Sequence, residues 1–441
     1  MTLRVHPDDI VKRSESPLLA EHHTWERVRI GQIAHLQNGG AFSSKLFNTS
    51  ETGMPVIRIR NVGTTKSTTY YSGEYQDKYL VFPGDLLVGM DGDFRVSRWQ
   101  GSPALLNQRV CRLDMRNPQM YDGRFLYHVL QGYLDAVHAV TSAVTVKHLS
   151  SRTISQLPVP LPPLAEQGRI VERIEELFAR LDAVDASLAS LLEKLETLRS
   201  AILADAFHTN RPLPPGWEKT TIGKVCLKPQ YGWTSKSARV KGLPYIRTTD
   251  LSGGSVDWES VPSCLTLPDD ESKYLLNHGD ILVCRAGSVG ISYLVTDPPR
   301  AVFASYLIRL RTKGGIVDPQ YLNLFMQSSA YWNAISETKV GIATPNVNAT
   351  RLASIPFPLA PRDRQRCIAR RVGSRLGKLD ILTASMEDCL QTSKILRQSV
   401  LAEAFAGRLV PQDPDDEPAS VLLDRIRASR QARPQRRKVR V

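Results

Sequence analysis

Two stretches hold residue types that do bond chemistry, and each fails on spacing or on one position. Asp297-Pro298-Pro299-Arg300 has the form of the Asp/Asn-Pro-Pro-aromatic tetrapeptide of amino-methyltransferases. Arg300 stands where a ring should stack on a flipped base, and no glycine-rich AdoMet loop follows a strand ahead of it, so a loop turn is the simpler reading. Pro268-Asp269-Asp270-Glu271-Ser272-Lys273 contains both pieces of a PD…ExK nuclease site. Acidic anchors this close cannot come from separate strands and share a metal, which leaves a solvated turn. No GxxxxGK[ST] loop is present, so ATP-driven activity is not expected of this chain. The six cysteines form no CxxC pair and the nine histidines no HxxxH or HExxH spacing, which argues for reduced thiols in a cytosolic protein and against a metal. No Ser/His/Asp or Cys/His arrangement stands out. The expectation is a chain without catalytic residues, metal or cofactor of its own.

What remains is equipment for binding. Arg58, Arg60, Asn61 and Lys66 surround a strand end; Arg95, Arg98 and Gln100 lie in a loop after Asp91-Gly92-Asp93; Asn107, Gln108 and Arg109 follow. In the second half Arg247, Thr248, Thr249 and Asp250 match the first group, Arg285-Ala286-Gly287-Ser288 matches the loop, and Asn346, Asn348 and Arg351 cluster later. Lys147 and Lys236 complete the set. Arg, Asn and Gln read base edges by paired hydrogen bonds, while Lys, Ser and Thr suit phosphates. For any one of them a solvated strand end is the plain alternative. The balance of 57 basic and 44 acidic residues, net +13, makes polyanions the first partners to consider, although much of the surplus lies between Arg425 and Arg440. No apolar run approaches the roughly 20 residues that cross a bilayer, and Met1 to Thr24 lacks a signal-peptide core, so no membrane is expected.

Elements that would position these groups occur twice. Trp25, Ile30 and Gly31 align with Trp217, Ile222 and Gly223; Pro55-Val56-Ile57-Arg58 with Pro244-Tyr245-Ile246-Arg247; Gly84-Asp85-Leu86-Leu87-Val88 with Gly279-Asp280-Ile281-Leu282-Val283. Each Gly-Asp reads as a tight turn into a buried strand, and each half has a late helix, over 123–140 and 319–336. Proline-rich strands follow, Leu157-Pro158-Val159-Pro160-Leu161 and Ile355-Pro356-Phe357-Pro358-Leu359. Between the anchors the loops differ almost completely, which suggests two sites of one kind with different specificities.

Each proline strand leads into a long helix. In the first, Ile170, Ile174, Leu177, Leu181, Val184, Leu188, Leu191, Leu195, Leu198 and Ile202 advance by four and three, a coiled-coil seam on a rod of roughly 65 Å. About 200 positions later Ile368, Val372, Leu379, Leu382, Met386, Cys389, Leu396 and Val400 repeat it, with Arg375 and Ser393 as breaks, and the helix ends correspond down to Phe207 and Phe405. The expected architecture is α+β: two similar globular domains separated by two long helices that form an antiparallel intramolecular coiled coil, a pseudo-twofold internal repeat. A parallel dimer between chains is the alternative. The boundaries are a polar arm over 1–23, globular domains over 24–160 and 210–358, helices over 161–209 and 359–408, and a segment over 409–441 with a short helix (419–427) and a basic tail. Glu172, Arg173, Glu176 and Arg180 are candidate docking charges on the outer face of the first helix.

The chain resembles the DNA-specificity subunit of type I restriction–modification systems. The residues carrying the likeness are Leu157 to Gln167 (LPVPLPPLAEQ) with its heptad helix, the two Gly-Asp strands with Gly287-Ser288, and Ala402 to Gln412 (AEAFAGRLVPQ), over roughly residues 24–426. Arg362-Asp363-Arg364-Gln365 departs from the first repeat's Leu164-Ala165-Glu166-Gln167. The resemblance implies two target-recognition domains, each reading half of a split double-stranded DNA site. The helices would act as a ruler and as a landing surface for two methyltransferase subunits carrying AdoMet, with two motor-nuclease subunits using ATP and magnesium, all in the cytoplasm. A coiled-coil scaffold with protein-binding end domains, or a self-contained restriction–methylation enzyme, are the competing readings.

Overall fold

The computed structural model describes residues 6–20, 22–141, 148–251, 255–337 and 346–431. Residues 1–186 with 390–441 form one unit and residues 187–389 the other. The first unit carries β1 (Glu26–Arg29), β2 (Ala34–Asn38), β3 (Leu86–Gly89), β4 (Val96–Arg98), β5 (Val110–Met115) and β6 (Pro158–Leu161). The second repeats them as β7 (Glu218–Thr221), β8 (Gln230–Tyr231), β9 (Ile281–Cys284), β10 (Ser292–Leu294), β11 (Leu307–Leu310) and β12 (Pro356–Leu359). The central antiparallel sheets run in the same order, β2-β5-β3-β4 and β8-β11-β9-β10. The proline strands also pair alike, β1 with β6 and β7 with β12.

The Gly-Asp turns aim the central strands. Gly84 and Gly279 adopt φ of 96° and 85°, left-handed backbone that favours glycine. The aspartate side chain then accepts from the N–H three residues back, Phe82 to Asp85 at 2.8 Å and Asn277 to Asp280 at 3.0 Å. The runs that follow are apolar throughout because both sheet faces are covered. Leu86 and Val88 enter the main core of the first unit while Leu87 joins Ile57, Val81 and Trp99 on the other face. Ile281 and Val283 face one core and Leu282 and Cys284 another.

In the first unit the late helix, Gly123–Thr141, covers the main core through Phe125, Val129 and Leu130. The single helix expected over 319–336 is instead two, Pro319–Phe325 and Ser329–Glu337. Ser328 lies between them, fully buried, and its Oγ accepts from the Tyr331 N–H at 3.4 Å. A serine that caps a new helix offers the backbone an alternative to continuing the old one. Residues 1–23 were expected to be a polar arm, yet helix Pro7–Arg13 buries Ile10 and Val11 in the first unit's core, and Leu19 follows. Helix Ala419–Gln431, longer than expected, adds Leu422, Leu423 and Ile426 to that core.

The long helices span Leu164–Ala206 and Arg362–Phe405. In the first unit Ile170 and Ile174 share a core with Ala404 and Phe405, and Arg397 reaches Asp182 (2.9 Å) and Asp185 (2.8 Å) with its guanidinium over Phe178. In the second, Leu203 and Phe207 share a core with Ile368 and Val372, and Arg199 meets Asp380. Numbers rise along one helix as they fall along the other, so the pairing is antiparallel and within one chain.

The seam needs correction in phase. Val184, Leu191 and Leu198 are 52%, 42% and 48% exposed, and Leu382 and Leu396 are both 47% exposed; Cys389 is exposed as well. The covered row of the first helix is instead Leu181, Asp185, Leu188, Leu192, Leu195, Arg199, Ile202 and Ala206. In the second it is Val372, Leu376, Leu379, Thr383, Met386, Leu390, Ser393, Arg397, Val400 and Ala404. Both rows keep steps of four and three without a break. Ser393, taken as a break, is 3% exposed. Asp185, Arg199 and Arg397 sit in the seam because partners neutralise them, so apolar residues alone trace the wrong line.

One side chain joins each helix to its globular part. Gln167 and Gln365 are buried. Gln167 accepts from the Asp122 N–H (2.8 Å) and donates to the Pro162 carbonyl (2.9 Å). Gln365 accepts from the Asp318 N–H (2.8 Å) and donates to the Ala360 carbonyl (2.8 Å). This glutamine is what Arg362-Asp363-Arg364-Gln365 keeps of the first repeat's motif.

Candidate nucleic-acid interface

Two of the sequence candidates are structural staples. The Asn61 side chain, buried, accepts from the Arg58 N–H at 3.0 Å and donates to the Lys66 carbonyl at 3.3 Å. Asp250 accepts from the Arg247 N–H at 2.7 Å and from its guanidinium at 2.8 and 3.1 Å, which holds Arg247 above the ordinary arginine pKa. Both carboxamide and carboxylate are spent on the same turn in the two repeats, so neither is free to meet a base edge. Asn348 is spent too: its Oδ1 accepts from the Arg351 N–H at 2.8 Å and caps helix Ala349–Ser354.

Other candidates reach solvent. Lys66, Arg95, Gln100, Gln108, Lys236, Thr249, Ser288 and Arg351 are exposed; Arg58 and Asn107 are half-buried. Arg60 donates to Thr69 Oγ1 at 3.0 Å, Arg95 pairs with Asp93 at 3.3 Å, and Arg98 lies over the Tyr127 ring at 5.2 Å. Lys147 lies outside the described residues. Of the expected docking charges on the first helix, Arg173 and Arg180 both reach Glu176.

The structure brings one group together at matching places in both units. At the end of β3 the Met90 N–H donates to the Arg109 carbonyl (3.0 Å), and the Met90 carbonyl accepts from Leu149 N–H (2.7 Å). At the end of β9 the Arg285 N–H donates to the Tyr306 carbonyl (3.0 Å), and the Arg285 carbonyl accepts from Val347 N–H (3.0 Å). Isolated bridges Asp91–His148 and Ala286–Asn346 complete the match. Three chain segments thus meet on one backbone frame: the end of the central strand, the tip of the turn before β5 or β11, and the segment leading to the proline strand.

The side chains on that frame differ. In the first unit Asp91 Oδ1 lies 2.6 Å from His148 Nδ1, and its carboxylate pairs with Arg109 at 3.3 Å, leaving the arginine side chain half exposed. In the second, Arg285 Nε points at Asn346 Oδ1 at 3.5 Å and its guanidinium stacks 4.8 Å from the Tyr231 ring centroid. The Tyr231 hydroxyl is itself fixed by the Ala349 N–H at 2.9 Å. Sequence reading singled out Arg109, Arg285 and Asn346 but missed Asp91, His148 and Tyr231 as their companions. Aligning the halves outward from the Gly-Asp anchors, strand end against strand end, would have found them. Among the described residues no cluster of His, Cys, Asp and Glu is arranged to hold a metal ion.

Comparison with known proteins agrees with this duplicated layout. Residues 22–193 and 214–385 each match the family model described as the type I restriction modification DNA specificity domain. The chain is 34% identical to the type I restriction enzyme EcoBI specificity subunit of Escherichia coli, with 96% of each chain covered. It is 24% identical to the EcoKI specificity subunit of Escherichia coli (strain K12), covering 86% of this chain and 89% of that one. A solved structure, reported under complex assembly and conformational transition of the type I R-M system, matches with a TM-score of 0.65 at 20% identity, covering 88% of this chain and 98% of that one.

Proposed function

The chain belongs to the family of type I restriction–modification DNA-specificity subunits, and from that membership we propose how its parts divide the work. The two units are its target-recognition domains, and each reads one half of a bipartite duplex site. The paired helices set the number of base pairs left unread. Two methyltransferase subunits carrying AdoMet and two motor-nuclease subunits using ATP and magnesium supply the chemistry, so this chain is itself non-catalytic. The complex works in the cytoplasm; among the described residues no helix is long and apolar enough to cross a membrane.

The observation that carries this reading is the pair of matching frames bearing different polar side chains, one per unit. A scaffold with protein-binding ends has no need of duplicated polar junctions. The apolar residues left off the seam support recruitment: Val184, Ile395 and Leu396 in the first unit, and Leu191, Leu198, Ile381 and Leu382 in the second, are exposed on helices. Such rows suit helices of a partner subunit. Phosphate contacts from exposed lysines such as Lys66 and Lys236 would make duplex binding weaken steeply with salt.

Modified-base sequencing of DNA from a host carrying the chain with its copurifying subunits tests the reading. The expected result is a split motif with an unread gap, lost when this chain is deleted. A contiguous motif, or methylation that persists without the chain, overturns it. Removing residues 187–193 together with 383–389 takes one heptad from each helix and keeps both seams in phase. That variant should shorten the gap and leave both half-sequences intact.

A further inference from the structure

We infer that Arg109 and Arg285 are specificity-determining residues, each reading one guanine in the half-site of its own unit. This rests on the two-half-site reading above and names the groups that carry it.

Three features of the junction point this way. The backbone frame is common to both units, whereas the arginine changes place: it stands on the turn in the first unit and on the strand end in the second. Tyr306 occupies the turn position of Arg109, and Met90 the strand position of Arg285. A residue serving the fold would stay at one position; a residue serving a different target in each unit need not. Each guanidinium is also held from behind while one side stays in solvent. Asp91, bonded to His148, fixes Arg109, and the Tyr231 ring with Asn346 fixes Arg285. A held guanidinium loses less freedom when it makes two parallel hydrogen bonds, and O6 and N7 of guanine present the matching acceptors in the major groove. Finally, neither arginine is buried, so neither is required for a core, unlike Arg309, whose side chain is 3% exposed.

The test uses the chain with its copurifying subunits and two variants, Arg109→Gln and Arg285→Gln. Wild-type methylation is mapped first; if no split motif emerges, the two-half-site reading fails and the guanine assignment falls with it. Given a split motif, each variant should relax one guanine position, roughly 10-fold in discrimination, with the gap and the other half-site unchanged. The two variants should affect different half-sites. Unchanged motifs, a shared half-site, or binding that weakens equally for all sequences would overturn the inference, the last because it marks a phosphate contact. A second measurement needs no variant: duplexes with 7-deazaguanine at each guanine in turn are bound by the wild-type complex. One guanine per half-site should lose affinity about 10-fold when its N7 is removed. If no guanine responds, the assignment is wrong even should both variants fail to fold.

Discussion

The same Gly-Asp turn is held in two ways. In the second unit Asp280 is sealed at 3% side-chain exposure, accepts from Arg311 Nε at 2.6 Å, and lies 3.5 Å from Arg309, which is equally buried. Burial draws the Arg309 pKa down to about 10 while Asp280 opposes the fall. In the first unit Asp85 is 28% exposed, and Arg112, 3.6 Å away, sits closer to Asp114 at 2.6 Å. The position held by Arg311 in one sheet is held by Asp114 in the other. Turn geometry needs only the backbone bond to aspartate, so the charges around it are free to differ, sealed in one unit and partly open in the other.

Four experiments press on that contrast. Truncating the helix ends should not distinguish the units: Phe405→Ala, which empties the site against Phe125, and Phe207→Ala, against Tyr321 and Phe325, should each cost about 3–5 kcal/mol. Urea unfolding followed by circular dichroism reads both, and a loss confined to one of them would break the equivalence of the two helix ends. Asp280→Ala removes the counter-charge of the buried Arg309, whose guanidinium keeps only neutral acceptors on Leu275, Gln230 and Lys273, and should cost about 3–5 kcal/mol, against about 1 kcal/mol for Asp85→Ala. Equal losses in the same unfolding assay would mean the sealed cluster is no more than its exposed counterpart.

Caps come next. Asn348→Ala and Ser150→Ala each remove an acceptor for a helical N–H and should cost about 1 kcal/mol, while Asn348→Asp should retain it. If Asn348→Ala leaves thermal stability untouched but alters the methylated motif, its carboxamide reads DNA after all. The smallest effect belongs to Glu166, which has no acidic counterpart in the second unit. Burial pushes its carboxyl up, against hydrogen bonds from Trp25 and Gln412 and the nearby Arg169. A raised folded pKa gives stability that is full below the unfolded value near 4.5 and is lost as pH rises through the folded one. Glu166→Gln should therefore gain on the wild type between pH 4 and pH 7; denaturation midpoints that run parallel would refute it.

Much of the fold was legible because the duplicated anchors are local chemistry. Gly-Asp turns, proline strands and terminal phenylalanines each specify a conformation within a few residues, and two copies exposed the repeat. The seam's phase was not legible, since Asp185, Arg199 and Arg397 are admitted only by partners more than a hundred residues away. The short polar-looking start hid Ile10 and Val11, whose burial depends on helix Gly123–Thr141; a side chain added to Gly132 would strike Leu18. At the candidate interface, residue type alone promoted Asn61, Asp250 and Asn348. Their acceptors were already engaged by their own turns and caps, which no spacing rule reveals. The junction was half legible, through its arginines and Asn346, because its frame is backbone and its companions come from other segments of the chain.

The first unit is discontinuous in the chain: it takes residues 390–441 as well as 1–186, while the second is an unbroken run, 187–389. Synthesis therefore delivers the units out of order. When Cys389 is added to the growing chain every residue of the later unit has been made, but the earlier one still needs Ala404 and Phe405 to cover Phe125, Ile170 and Ile174. A chain cut short before Leu390 thus carries every residue of the second unit within a first unit that still lacks part of its core.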